Sequence, residues 1–167
     1  MQKHGNIIPF QGDVTSKLEL SAIVNKITEE QGFINVLIAN SGITGPMLDG
    51  MPKDPTISQF RDFLWETDST KFTDTFNVNV TAVFFSLVAF LELLDAGNKK
   101  GNVEQKSQII TVSSAAGFNR QPIAGYAYSS TKAGVTHMMK NFATGLVPYD
   151  IRSNVIAPGR KLFRIYR

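Results

Sequence analysis

Four short strand candidates alternate along this chain with segments whose apolar residues recur at helical spacing, and that alternation limits the architecture more than any other feature. They are Asn6 to Phe10, Ile34 to Ala39, Gln108 to Val112 and Arg152 to Ile156. Each is too short for a helix and is stopped or followed by turn formers: Gly12-Asp13 after the first, Asn40-Ser41-Gly42 after the second and Pro158-Gly159 after the last. Ser16 and Glu19 stand three apart as a capping box, Leu20, Ile23, Val24 and Ile27 mark one helical face, and Gly32 provides a stop. Ile57 to Glu66 reads as a short helix. Asp68 or Ser69 caps a longer one expected to run to about Leu94, with Gly97 past its end and a polar linker to Lys106. A further helix is expected from Tyr126 to about Leu146. Strand and helix in alternation predict a parallel sheet covered on both faces, the α/β class.

At 167 residues the chain has the size of one domain. The absence of cysteine excludes disulfides and thiolate metal sites, and two distant histidines argue against a zinc centre. A net charge of +3, from 17 basic and 14 acidic residues, is too weak for a nucleic-acid footprint. Its one basic cluster, Arg160, Lys161, Arg164 and Arg167, is terminal, which divides the chain into a domain over 1–159 and a basic tail over 160–167. Met1 to Phe10 lacks the pattern of a secretory signal, so a cytoplasmic setting is expected. Val80 to Leu94 is shorter than the roughly 20 residues of a membrane span and contains Thr81, Ser86 and Glu92. It reads as a buried helix, and no membrane partner is expected. Trp65, Phe84, Phe85 and Phe90 are expected in the core, and His137 is expected to pack or face solvent.

Chemistry concentrates at Tyr128 and Lys132, four apart on one face of a helix. A neighbouring ammonium favours a phenolate, which is what allows a tyrosine to exchange protons near neutral pH. The pairing gains weight from its surroundings. A strand ending in Val112-Ser113-Ser114 leads through a glycine-containing loop to this helix, and ligands of open α/β sheets bind at the carboxyl ends of strands. Tyr126 has no such partner, since Ser130 lies four residues on.

Thr111-Val112-Ser113-Ser114-Ala115-Ala116-Gly117, Tyr128-Ser129-Ser130-Thr131-Lys132 and Asn154-Val155-Ile156-Ala157-Pro158-Gly159 resemble short-chain dehydrogenases/reductases. Asp13-Val14, Asn40-Ser41-Gly42 and Asn77-Val78-Asn79-Val80 are similar to further landmarks of that family, in the same order. The resemblance covers roughly Ile7 to Gly159. It implies an oxidoreductase that transfers hydride between NAD(P)(H) and a small carbonyl or alcohol. Tyr128 would be the general acid/base, Lys132 would tune it and hold the nicotinamide ribose, Ser114 would orient the carbonyl, and Asn79 would complete a proton relay. Ser113 is the alternative to Ser114. Asp13 and Val14 would meet the adenine, Asn40 and Gly42 the adenosine ribose, and Pro158-Gly159 the nicotinamide. NADP is preferred over NAD. A homo-oligomer through the two long helices, the second carrying Met138 and Met139, is also implied.

The same resemblance implies a partial doubly wound, Rossmann-like parallel sheet lacking the first two strands and the last strand, hence truncated at both ends. The glycine-rich turn that receives pyrophosphate at a helix N-terminus is not among these residues. Two expectations follow. Either Asn6 to Phe10 pairs with Ile34 to Ala39, or it is loosely attached and leaves an apolar strand edge open, and the isolated monomer is expected to be marginally stable. The alternative to catalysis is a fragment that cannot bind cofactor and pairs with a full-length relative.

Overall fold

The computed structural model describes residues 7–122 and 124–159. The N-terminal segment Ile7–Phe10 forms no strand, and Ile7 is 74% exposed. Asn6 and the basic tail lie outside the described residues. The first regular element is helix α1, Lys17–Glu30. Ser16 caps it by accepting from the Glu19 N–H at 3.3 Å, but Glu19 does not return the bond to Ser16. Its carboxylate reaches further back and accepts from the Asp13 N–H at 2.7 Å, so the expected capping box is half formed. Gly32, at φ +77°, turns the chain out of the helix, and its N–H bonds to the Ile27 carbonyl at 3.0 Å.

Strand β1, Val36–Ala39, is followed by a loop and then by α2, Ile57–Trp65. Here the capping box is complete, between Thr56 and Gln59. Asp68 opens α3, Ser69–Phe76, accepting from the N–H groups of Thr70 and Lys71. The helix does not run evenly to Leu94. It widens into a π-helical segment at Asn77–Ala82, resumes as α4, Val83–Ala89, bends at Phe90, and continues as α5, Leu91–Lys100.

Gly97 was expected beyond the helix and sits inside it. A Cβ there would lie 2.1 Å from the Ile34 carbonyl oxygen and 2.9 Å from Ser107 Oγ. This glycine lets the helix press against the chain entering β1. The stop is Gly101, at φ +60°. The expected linker is correspondingly shorter. Strand β2, Gln108–Val112, helix α6, Tyr126–Gly145, and strand β3, Arg152–Ile156, complete the fold.

The three strands are parallel, in the order β1-β2-β3, with Val36 opposite Gln108 and Gln108 opposite Arg152. The fold is therefore α/β with a small parallel sheet. Side chains alternate across it. Leu37, Ala39, Ile109 and Val155 face a core formed with Val83, Leu87, Leu94, Val135 and Met139 of the helices. Leu87, Leu94 and Ile109 are wholly buried.

The apolar character of Val80 to Leu94 serves this core. Ser69–Ala89 is long and apolar enough, by length and composition, to cross a membrane, yet Asn79, Ala82, Val83, Ser86 and Leu87 are buried inside the fold. Phe90 is buried as expected, Met139 is buried in the core, and His137 faces solvent. Trp65 and Phe84 are not core residues: Trp65 is exposed on the last turn of α2 with Arg61 over its ring, and Phe84 is exposed on α4.

The opposite face of the sheet corrects the expectation of cover on both sides. Val36, Ile38, Arg152, Asn154 and Ile156 are exposed there, beside half-buried Ile110 and Val112. Among the described residues the edge of β1 is free and borders the same surface, so the open strand edge is the alternative that this structure has. An unpaired apolar edge is a template for association. Ile38→Lys, at the centre of this edge, is expected to shift a concentration-dependent mixture toward monomer in sedimentation velocity. An unchanged distribution would remove the β1 edge as its cause.

Candidate active site

The carboxyl ends of the three strands lie side by side, and most of the residues singled out from the sequence follow them. After β2, the Ser113 N–H donates to the Ile156 carbonyl at 2.8 Å, carrying the pairing one residue past the strand. Successive side chains on extended backbone point to opposite sides, which separates the two serines. Ser113 turns inward and is buried. Its hydroxyl donates to the Lys132 carbonyl at 2.9 Å and lies 2.7 Å from the Thr136 hydroxyl.

Ser114 turns outward into a cleft of about 500 Å³, shared with Tyr128, Thr44, Asn119, Pro158 and Gly159. Its hydroxyl also accepts from the Ala116 N–H at 3.1 Å, capping a short 3-10 turn at Ala115–Gly117. Gly117 fits that turn against α6, because a Cβ there would come within 2.7 Å of the Ala133 nitrogen.

Tyr128 and Lys132 lie one turn apart on α6, with the ammonium 5.5 Å from the phenol ring centroid. The ammonium donates to the Val112 carbonyl at 2.7 Å, so the strand end holds it. Lys132 is 5% exposed, and burial pushes its pKa below the ordinary lysine range. An ammonium carries three donors, and one is committed here.

Asn79 comes from the π-helical segment. Such segments often sit at functional sites because they displace a side chain from the regular helical register. Its amide nitrogen donates to the Ile43 carbonyl at 2.8 Å and to the Thr131 hydroxyl at 3.0 Å, and its oxygen accepts from the Ile43 N–H at 2.8 Å. Thr131 in turn donates to the Tyr128 carbonyl at 2.7 Å. Asn79 thus ties the loop after β1 to the helix carrying Tyr128. Gly42 lies in the same corner: a Cβ on it would be 3.1 Å from Asn79 Oδ1 and 3.5 Å from Lys132 Nζ. Asn79, Lys132 and Gly42 therefore form one cluster, next to the cleft holding Ser114 and Tyr128.

Asn40 and Val14 belong elsewhere. They line a separate cavity of about 170 Å³ with Leu20, Ile38 and Phe90, between α1, β1 and the π-helical segment. Asp13 lines neither cavity. Its carboxylate accepts from the backbone and the hydroxyl of Thr15, both at 2.8 Å, and the backbone bond above all holds its pKa below the ordinary carboxylate value. Asp13 is a helix-entry residue in this structure.

Thr131 and Met47 were not singled out by the sequence. Thr131 had a readable signal, a polar residue on the buried side of the helix beside Lys132. Met47 had none, being one apolar residue in an irregular loop. Tyr126 lines another cavity, away from Ser114. Among the described residues no group of three or more histidines and acidic residues is placed to hold a metal ion.

Residues 1–161 match the family model described as short chain dehydrogenase. Short-chain dehydrogenase/reductase PhomF of Diaporthe leptostromiformis is 55% identical over 157 residues, covering 94% of this chain and 54% of that protein. Short-chain dehydrogenase/reductase VdtF of Byssochlamys spectabilis is 42% identical over 177 residues, covering 93% of this chain and 58% of that protein. The NADP-bound structure of ElxO superposes with a TM-score of 0.75 at 27% identity, covering 95% of this chain and 55% of ElxO. NAD+-bound xylitol dehydrogenase gives 0.72 at 25% identity, covering 90% of this chain and 49% of that chain. The chain spans about half the length of the curated relatives it matches. A parallel sheet with a serine, a tyrosine, a lysine and an asparagine gathered at its carboxyl end, matched from residue 1 to residue 161, makes this chain a member of the short-chain dehydrogenase/reductase family.

Proposed function

We propose that the chain carries the catalytic half of an oxidoreductase that moves hydride between a nicotinamide cofactor and a carbonyl or alcohol, with Tyr128 exchanging the proton. The observation that carries this reading is the cleft in which Ser114 and Tyr128 meet beside Pro158-Gly159, with the Lys132 ammonium buried close by. The residues present suit the nicotinamide end of such a cofactor. Lys132 has donors to spare for ribose hydroxyls, and Gly42 leaves a gap where a Cβ would approach both Asn79 and Lys132.

When bound, the cofactor supplies or accepts the hydride. In the reducing direction Ser114 Oγ donates to the substrate oxygen and orients the carbonyl. The Tyr128 phenol gives its proton to that oxygen as the alcohol forms, and the nearby ammonium stabilises the phenolate left behind. In the oxidising direction the phenolate takes the proton back. Asn79 keeps the Ile43 backbone and Thr131 in place and belongs to the path by which the phenol regains its proton. Asn40, Val14 and Asp13 are the proposed contacts to the adenosine end. ElxO is described with NADP and xylitol dehydrogenase with NAD+, so both forms enter the test.

A second reading is favoured by the open sheet face and the free β1 edge: a non-catalytic chain that pairs with a longer relative through that surface. Phe84, Val88 and Tyr126, exposed on α4 and α6, offer a further contact for a homo-oligomer. Calorimetric titration of the purified chain with NADPH and NADH separates the readings. The catalytic reading expects saturable binding of at least one. A folded chain that binds neither, yet co-elutes with a longer relative, would establish the second.

A further inference from the structure

Beside the catalytic cleft lies a second cavity, of about 390 Å³, that the proposed reaction does not use. Pro46, Met47 and Leu48 of the loop after β1 form one wall, Leu64 and Phe72 of α2 and α3 another, and Tyr126 the floor. No charged side chain lines it, and its polar groups are hydroxyls. The neighbouring groove, which shares Pro46, Met47 and Thr67 with the cavity, is by contrast lined also by Asp62, Glu66, Asp68 and Lys71.

Two observations join this cavity to the catalytic cleft. Met47 lines both. The cavity also ends on Tyr126 and Ala127, while Ala124 and Tyr128 belong to the cleft, so the two are separated by less than one helical turn. The shared wall is anchored at one point. Gly125, at φ +82°, would bring a Cβ within 2.1 Å of the Pro46 carbonyl oxygen, so loop and helix start meet backbone to backbone. The partition itself is a methionine, unbranched and able to adopt several shapes.

We infer that this cavity receives an uncharged aromatic or branched apolar arm of the substrate, whose carbonyl or alcohol sits at Ser114 and Tyr128. The inference rests on the proposed oxidoreductase function and adds a substrate class to it. A volume in the usual range of roughly 300–1,000 Å³ for small-molecule sites suits a ring-sized group, and the neutral lining would leave a charged arm desolvated without a partner. Met47 is then a specificity-determining residue, and Phe72 and Leu64 are the apolar surface that holds the arm.

The test uses two methyl ketones that differ in their arms, 4-phenyl-2-butanone and 4-oxopentanoate, binding to the whole chain as read by saturation-transfer NMR. The phenyl ketone is expected to bind, with saturation strongest on its ring protons, and the carboxylate ketone at least about tenfold more weakly. Thr73→Trp, which fills the cavity from an exposed position, and Met47→Asp, on the loop, are each expected to weaken the phenyl ketone about tenfold. Far-ultraviolet circular dichroism confirms that each variant is folded, and either folded variant suffices. Absence of phenyl-ketone binding, equal binding of the two ketones, or unchanged affinity in the folded variants would overturn the inference. Turnover plays no part in this readout. Activity that survives Tyr128→Phe would instead defeat the functional reading, whatever the ketones do.

Discussion

Tyr128→Phe is expected to lower turnover by about 10²–10⁴-fold, the usual contribution of a positioned acid/base group. The substitution removes one oxygen and keeps the ring, and the Tyr128 hydroxyl has no hydrogen-bond partner among the described residues, so little stability should be lost. The Tyr128 contact that matters to the fold is its backbone carbonyl, which accepts from Thr131 and survives the change. Tyr149→Phe is the matched control. It alters an exposed tyrosine outside both the cleft and the adjoining cavity, and is expected to leave turnover within about twofold. Steady-state reduction of a ketone followed by NADPH or NADH absorbance measures both. Equal activity of wild type and Tyr128→Phe would remove the phenol from the mechanism.

Asn79→Leu is expected to destabilise the chain by about 2–4 kcal/mol, because it keeps the branched four-atom side chain and removes three hydrogen bonds at once. The Ile43 N–H and carbonyl lose their partner together, in a part-buried position, and Thr131 loses its donor. The loop from Ile43 onward should then open to protease before the rest of the fold does, since its tie to the helices is gone. Urea denaturation gives the magnitude, and limited proteolysis gives the place. A loss below about 1 kcal/mol with an unchanged cleavage pattern would mean that other contacts hold the loop.

The sequence read most clearly where local chemistry and tertiary packing agree. Gln108–Val112 and Arg152–Ile156 are strands with the expected ends, since their β-branched residues and flanking turns state one structure. Of the two cap candidates before the long helical run, Asp68 and Ser69, Asp68 is the one that caps it. The sequence read poorly where one residue type serves two purposes. Gly97 resembles a helix stop and is a close-packing residue; Gly101 is the stop. Trp65 was assigned to the core for its size, but its place on the last turn of α2 leaves it in solvent.

The candidate site divides in the same way. Tyr128 and Lys132 were legible from their spacing and company, and Asn79 from the family resemblance, whereas the partners of Lys132 and Asn79 were not. The backbone carbonyl of Val112 and the backbone of Ile43 carry no side-chain signature. The choice between Ser113 and Ser114, left open by spacing, is a matter of which side of an extended strand each faces: Ser113 bonds within the core, and Ser114 looks into the cleft. Ile7–Phe10 had the composition of a strand but pairs with nothing among the described residues, and an apolar run without a neighbour to complete its ladder has no reason to extend.

The glycines at 117 and 125 have a consequence for how such a site changes over generations. Each brings loop backbone directly onto other backbone, α6 in one case and Pro46 in the other, so these two approaches do not depend on any side-chain rotamer. Leu48, by contrast, lines the adjoining cavity and not the cleft that holds Tyr128. Replacing it would reshape that cavity while leaving the close approaches at Gly117 and Gly125 in place. Inheritance can therefore act on two separate parts of one loop region, a frame that tolerates almost no substitution and a lining that tolerates many.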